Sequence, residues 1–393
     1  IVNDPNARTA SVGTVVFVCR KCYNLIQREA FHLRQNGYRC FLLSMNPVAP
    51  ELRKSFNPCF DMIYDGLSTY VALGLAIEVL KPDIFHVQCH MWEYVIGRFV
   101  IERKDTAKVV CELYDVTSVY AERDRLARAF WPGLVDLELE TERFIFRNAD
   151  GVITRFPRSV IEKLEKRYDA HPAVLELQLH ASQEHARYSA AKTSSADGKL
   201  RLVYIGGLIP RLANVTPEMF PEYGHIEAWE ALLEQGFDID VLSSPFRHPE
   251  GPGYEPFHAL VEHHEGFRLM RGVPQDQLAE TICHYDFGLI LAKMDRENSY
   301  CTADQFDGGV GTKLFAYLEA GLPILVNAEY TYMTRIIEEN NLGISLHSDQ
   351  IATAGPVIRG YDRAVVLDRI RRFNDAHAME HEIHRVIELY KRL

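Results

Sequence analysis

The chain has 393 residues, too many for one ordinary hydrophobic core, so two domains are the default. With 47% hydrophobic and 25% charged residues it has a globular composition, and no apolar run is long enough to span a bilayer. A net charge of −11 argues against nonspecific nucleic-acid binding while leaving room for a local basic cleft. Eight cysteines, most in apolar segments (Cys40, Cys89, Cys111, Cys283), do not make a disulfide framework and fit a reducing cytoplasm. No signal peptide is expected from its first residues. Because the chain begins at Ile1 rather than Met, preceding residues and targeting signals remain an open expectation.

Taken in order, the first half alternates strand and helix patterns. Strands are expected over residues 13–19, 39–45, 60–64, 83–87, 108–113 and 151–154. Helices are expected over 25–35, 70–80, 92–102, 138–147 and 159–166. Strands alternating with helices imply a parallel sheet covered on both faces. Residues 181–199 turn polar and Ala/Ser/Lys-rich, the best linker candidate. A second alternating series starts with the strand at 200–205, ending in Gly206-Gly207, and runs to a charged helical tail over 369–393. Ligands of doubly wound units bind at the carboxyl ends of the strands, so a cleft between two facing units is the expected site.

The most informative stretch is GGVGTKLFAYLEAGLPILVNA, Gly308 to Ala328. It reads as a glycine-rich loop, a helix whose Leu314, Phe315 and Leu318 share an apolar face, a stop at Gly321 before Leu322-Pro323, and a buried strand. Backbone N–H groups around Gly309, Val310, Gly311 and Thr312, with the helix dipole, form a phosphate-binding candidate. Lys313 adds a point charge, and Gly206-Gly207 allows close backbone approach. The P-loop spacing is not met, and a merely flexible glycine loop is the competing reading.

Several ordered segments together resemble the GT-B glycosyltransferases of the large family-four type: TKLFAYLEAGLPILV as the donor-site segment, RLVYIGGLIPR (Arg201–Arg211) as the first donor strand and turn, HYDFGLILA (His284–Ala292) as the strand before the donor loop, DIFHVQCH (Asp83–His90), and ERFIFRNADGVIT (Glu142–Thr154). The resemblance implies an α/β GT-B fold of two facing Rossmann-like doubly wound domains with an interdomain cleft. It implies an acceptor domain over 1–190 and a nucleotide-sugar donor domain over 191–393, whose helical tail could pack back on the first domain. It implies transfer from a UDP- or GDP-sugar to a carbohydrate, lipid-linked or protein acceptor in the cytoplasm, without a prosthetic group, metal or nucleic acid. Arg211 joins Gly206, Gly207 and residues 309–313 as a donor contact.

The sequence also departs from the family pattern. Of two glutamates normally eight positions apart, the second, a ribose contact, falls on Ala316, and the first on Gly308 with Asp307 and Asp304 nearby. Glu319, one turn further along, is either a surface carboxylate, the favoured reading, or a displaced substitute contacting ribose or sugar. No histidine follows the strand at 108–113. Asp115 is read there as a general base or acceptor-orienting carboxylate, or as the cap of the following helix. His90, past a strand end, and Glu112, a carboxylate within a strand pattern, complete the catalytic candidates, whereas His86 is read as packed core. Cys19 and Cys22 have redox or zinc spacing but lack a second pair, so Arg20, Lys21 and Tyr23 are read as a loop facing an anionic ligand. Asp238 and Asp240 alternate along a strand and are not expected to bind metal. Residues 243–253 are candidates for framing the base, 295–307 for selecting the sugar, and 359–372 for touching a membrane surface. A noncatalytic scaffold or partner subunit, and a sugar-nucleotide epimerase, are the alternatives.

Overall fold

A computed structural model describes residues 11–22, 24–195, 197–245 and 249–393. Tyr23 and residues 246–248 of the proposed base-framing segment lie outside the described residues. The chain divides into two compact units. The first comprises Ile1–Thr117, Asp136–Leu177 and Met379–Leu393, and the second Ser118–Val135 and Gln178–Ala378. The chain therefore crosses between units more than once rather than at a single boundary at 190/191: Ser118–Val135, after the strand Lys108–Glu112, belongs to the second unit, and Met379–Leu393, the end of the expected helical tail, to the first.

The first unit is built on a seven-stranded sheet: β1 (Gly13–Cys19), β2 (Tyr38–Ser44), β3 (Met62–Tyr64), β4 (Ile84–Gln88), β5 (Lys108–Glu112), β6 (Gly151–Thr154) and β7 (Ala173–Glu176), in spatial order 3-2-1-4-5-6-7. The second has six strands: β8 (Arg201–Gly206), β9 (Asp238–Ser243), β10 (Phe267–Arg271), β11 (Phe287–Ile290), β12 (Ile324–Asn327) and β13 (Gly343–Leu346), in order 10-9-8-11-12-13. Every pairing is parallel. The order reverses between β1 and β4 and between β8 and β11, the switch points at which such sheets open at their carboxyl ends. Continuous apolar runs such as Val15–Val18 and Ile324–Val326 are fully buried, as a sheet covered on both faces requires.

One side chain couples the Thr312–Glu319 helix to the second sheet. The Tyr317 ring lies where a side chain at Gly288 would otherwise stand: a Cβ there would sit 2.2 Å from it. β8 and β11 pair only at Phe287↔Leu202 and Gly288↔Val203, then diverge. The Tyr317 hydroxyl fills the gap, accepting from the Ile205 N–H at 3.0 Å and donating to the Leu289 carbonyl at 3.1 Å.

Residues 181–199 are not a free linker. The Ser182 N–H donates to the Glu319 carboxylate at 2.9 Å, Arg187 N–H to the Glu319 carbonyl at 2.9 Å, and Ser194 Oγ to Asp286 at 2.7 Å. Glu319 is therefore fully buried rather than on the surface. Polar composition read as solvent exposure, whereas these residues satisfy buried carboxylates. The expected loop over 295–307 contains a short helix, Ala303–Gly308, capped by the Thr302 hydroxyl, which accepts from Gln305 N–H at 3.2 Å. Among the described residues no helix is long and apolar enough to cross a membrane.

Replacing Tyr317 by Phe leaves the Ile205 N–H and Leu289 carbonyl without their partner, and each orphaned buried group costs about 1–3 kcal/mol. Urea denaturation of Tyr317→Phe is expected to show a lower midpoint at unchanged slope. An unchanged midpoint would contradict the bridging role.

Candidate functional site

In the second unit, four sequence-distant segments meet at the carboxyl end of β8. Gly206 ends the strand at φ 111°, a conformation glycine alone adopts easily. Lys313, from the first turn of the Thr312–Glu319 helix, crosses directly over it: a Cβ on Gly206 would be 3.1 Å from Lys313 Cε. The ammonium rests 5.4 Å from the centroid of the Tyr204 ring. The helix N-cap is Gly311, without a side-chain cap, and Gly207 and Gly311 both border open space. Uncapped first-turn amides, the helix dipole and a lysine thus point to one place, the arrangement that binds a phosphate.

The four loop amides are not equivalent. Gly309 N–H already donates to the Gln305 carbonyl at 2.9 Å, closing the preceding helix, and is not available to an anion. Val310 is fully buried and anchors the loop in the core. Gly311, Thr312 and Lys313 remain as the candidate phosphate contacts.

Arg211 supplies a second cation. Its guanidinium stacks 3.4 Å from the Tyr223 ring centroid, donates to the Tyr223 carbonyl and lies 3.5 Å from Glu227. Its Nη1 is buried without a hydrogen-bond partner. Between the cations lies a residue that sequence reasoning missed, His225. It starts the His225–Leu233 helix, stacks on Trp229 at 4.9 Å and meets Tyr204 edge-on at 4.8 Å. Burial first, then the charges of Lys313 and Arg211, push its pKa well below the ordinary 6.5. The imidazole is therefore neutral, and its buried Nδ1 has no hydrogen-bond partner. A histidine directly after Gly224, at the start of the His225–Leu233 helix, was the available signal.

Beside these groups is a pocket of about 310 Å³ lined by Pro217, Glu218, Tyr223, Lys293, Asp295, Asn298 and Phe306, among others. The loop after β11 forms one wall, held by Asn327, whose side chain accepts from Ala292 N–H at 2.7 Å and donates to Ala292 O at 2.9 Å. The Ser118–Val135 insertion braces the same loop: Thr302 N–H donates to the Tyr120 carbonyl at 2.9 Å, and the Arg125 guanidinium donates to the Ser299 carbonyl. Asp307 is tied to Arg296 at 2.7 Å and accepts from the Thr331 hydroxyl at 2.9 Å, its carboxylate still half-exposed. Ala316 is buried in the core, and its methyl group offers no polar contact to a ligand. Glu319 is committed to Ser182 and Asp240 to Arg268, at 2.7 and 2.6 Å, which removes both from the ligand candidates.

In the first unit, Arg20 and Lys21, His90, Asp115 and Arg155 follow β1, β4, β5 and β6, so they gather at the carboxyl ends of adjacent strands. The Asp115 carboxylate accepts from the Arg155 guanidinium, which stacks 4.3 Å from the Tyr114 ring. It is 37% exposed, so part of it faces solvent. Asp115 thus pairs with arginine at the strand end. Burial lowers the His90 pKa, opposed by Asp115 and Glu112. Glu112 itself is not at this mouth. It lies buried on the sheet face beside His86. Cys19 and Cys22 are buried free thiols, and burial together with contact to Cys19 pushes Cys22 well up, so neither is a reactive pair.

Comparison with solved structures establishes the fold as GT-B. Sucrose-phosphate synthase from Thermosynechococcus elongatus superposes with a TM-score of 0.67 at 12% identity, covering 96% of this chain and 98% of that one. HepE of Anabaena, solved with UDP-glucose, gives 0.67 at 11% identity over 97% and 100% of the two chains. MnaA of S. aureus, solved with UDP, gives 0.59 at 11% identity, covering 95% of each. Residues 254–359 match the family described as glucosyltransferase 3-like, C-terminal domain. The comparison with curated protein sequences finds no match.

The neutral state of His225 has a pH signature. Its lowered pKa stabilises the folded chain fully above the unfolded value near 6.5, and that share is lost as pH falls below it. The slope from one such proton reaches about 1.4 kcal/mol per pH unit. Between pH 6.5 and 5, His225→Phe is expected to lose stability less steeply than the parent in urea titrations. Equal slopes would contradict the assignment.

Proposed function

We propose that the chain is a glycosyltransferase whose second unit binds a nucleotide-diphosphate sugar, a UDP-sugar in the first place. The observation that carries this reading is the convergence of Lys313, Arg211, the uncapped Thr312–Glu319 helix and Gly206-Gly207 at one strand end of a GT-B fold. That convergence suits a diphosphate. Two structural neighbours solved with UDP-glucose and UDP support the nucleotide, and the glucosyltransferase 3-like match over 254–359 supports the sugar class. The pocket beside Tyr223 and Asn298 is assigned to the nucleoside and sugar portions.

The departing diphosphate would be stabilised by fixed cations and helix amides already aimed at it, which makes the transfer metal-independent. In the first unit, Asp115 held by Arg155, with His90 and Lys21, is assigned to orienting the acceptor. Glu112 is withdrawn from this set. Eight buried free thiols fit a reducing cytoplasm. One observation favours a second reading, a nucleotide-binding partner subunit without turnover: Ala316 provides no carboxylate for the ribose.

Calorimetry with UDP is expected to show binding that Lys313→Met weakens roughly 10- to 100-fold, the worth of one charge-assisted contact. Asp115→Asn is expected to leave UDP affinity unchanged while lowering kcat/KM for the acceptor. UDP release from a panel of UDP-sugars and acceptors then separates the readings. Binding without release supports the partner subunit, and no nucleoside-diphosphate binding at all would refute both.

A further inference from the structure

The core of the first unit contains three ionisable side chains that sugar transfer leaves unused. His86 stands on β4, Glu112 on β5 and Glu29 on the Asn24–Gln35 helix packed over that face. They are 0%, 3% and 1% exposed. We propose that Glu29, His86 and Glu112 form a structural site for a divalent transition-metal cation, zinc in the first place.

The separations are the first argument. His86 Nε2 lies 3.5 Å from Glu29 Oε2 and 3.7 Å from Glu112 Oε2. A shared proton would draw such pairs to about 2.7–2.9 Å. Two bonds of about 2.0–2.1 Å meeting at a tetrahedral angle instead set ligand atoms about 3.4 Å apart. Right-angled octahedral ligands would be nearer about 2.9 Å. The observed spacing suits one small four-coordinate ion between the three atoms, all of which lie within 4.8 Å of one another.

The second argument is polar satisfaction. Glu29 Oε2, His86 Nε2 and Glu112 Oε2 are each buried without a hydrogen-bond partner. No lysine or arginine forms an ion pair with either glutamate among the described residues. Two buried carboxylates with no lysine or arginine beside them are costly, and a divalent ion neutralises both.

The outer contacts fit as well. His86 Nδ1 is 2.7 Å from the Tyr390 hydroxyl, and Phe17 stacks on the ring at 4.9 Å, so the imidazole is oriented with Nε2 toward the glutamates. A ligand histidine is normally held in this way through its other nitrogen. Gln88, two residues along the same strand face and the register partner of Glu112, has both amide atoms unpartnered and can supply the fourth ligand oxygen. The site is separate from the diphosphate site, whose ligands belong to the second unit, and it holds whether or not the chain transfers sugar.

The full chain, unfolded in denaturant with a chelator and refolded with zinc chloride or without metal, provides the test. After gel filtration the zinc-refolded chain is expected to retain about one zinc per chain by elemental analysis and to melt higher than the metal-free chain. Glu29→Gln and Glu112→Gln, which preserve side-chain shape, are expected to lose that zinc. Tyr390→Phe is expected to bind it about 10- to 100-fold more weakly. Cobalt refolded into the parent chain, a readout needing no variant, is expected to show the visible absorption of a four-coordinate site. A parent chain that retains no zinc and melts identically with and without it overturns the proposal in favour of a hydrated or proton-sharing cluster. Equal zinc retention by the parent and both glutamine variants also overturns it, since the ion then lies elsewhere.

Discussion

The second unit depends on the Tyr317 hydroxyl at the point where β8 and β11 part. Parallel strands that diverge leave an N–H and a carbonyl facing a gap, and a buried gap of that kind is costly. Tyr317 closes it because a phenol both accepts and donates, and because Gly288 leaves room for its ring. The same contact fixes the helix that carries Tyr317. Its N-terminus then falls beside Gly206, with Lys313 across the strand end. The chemistry proposed for this site is therefore set by a packing contact one helical turn away from it.

Buried carboxylates organise much of the remainder. Asp286 accepts from Ser194 Oγ at 2.7 Å and Arg201 N–H at 2.8 Å, and also pairs with Arg363. Asp240 is held by Arg268 and the Tyr285 hydroxyl. With Glu319 on Ser182, these groups attach irregular chain to the second sheet where strand pairing does not reach. Each buried charge has hydrogen-bonding partners, which is the condition for tolerating it. Glu29 and Glu112 contrast with these: each has a buried carboxylate oxygen without a hydrogen-bond partner, and that contrast motivates the metal site.

Much of the architecture was legible. Long strands of consecutive apolar residues and helices with apolar stripes carry strong periodic signals, so β1, β2, β8 and the Tyr70–Leu80 helix stand close to their expected bounds. The Gly321 stop was readable because the chain needs a left-handed residue there, and φ is 67°. Short elements such as β7, and the Ser118–Val135 insertion, carry too few residues for a period. Legibility of the candidate phosphate site followed the same division. Lys313, Gly206 and Arg211 sit in segments with recognisable turns, whereas His225, marked in the sequence only by following Gly224, takes its place in the site through stacking between Tyr204 and Trp229.

By itself the sequence determined two doubly wound units, the glycine turn before Thr312 and the loss of a carboxylate at Ala316, because periodicity, turn chemistry and residue identity are local properties. Only the tertiary structure decided which atoms were already occupied. Gly309 N–H closes a helix, Glu319 turns inward to Ser182, Asp115 pairs with Arg155, and Glu112 joins Glu29 and His86 in the core. Those outcomes rest on contacts between residues up to 137 positions apart. Burial and partnership are properties of such contacts, and no local pattern of residues encodes them.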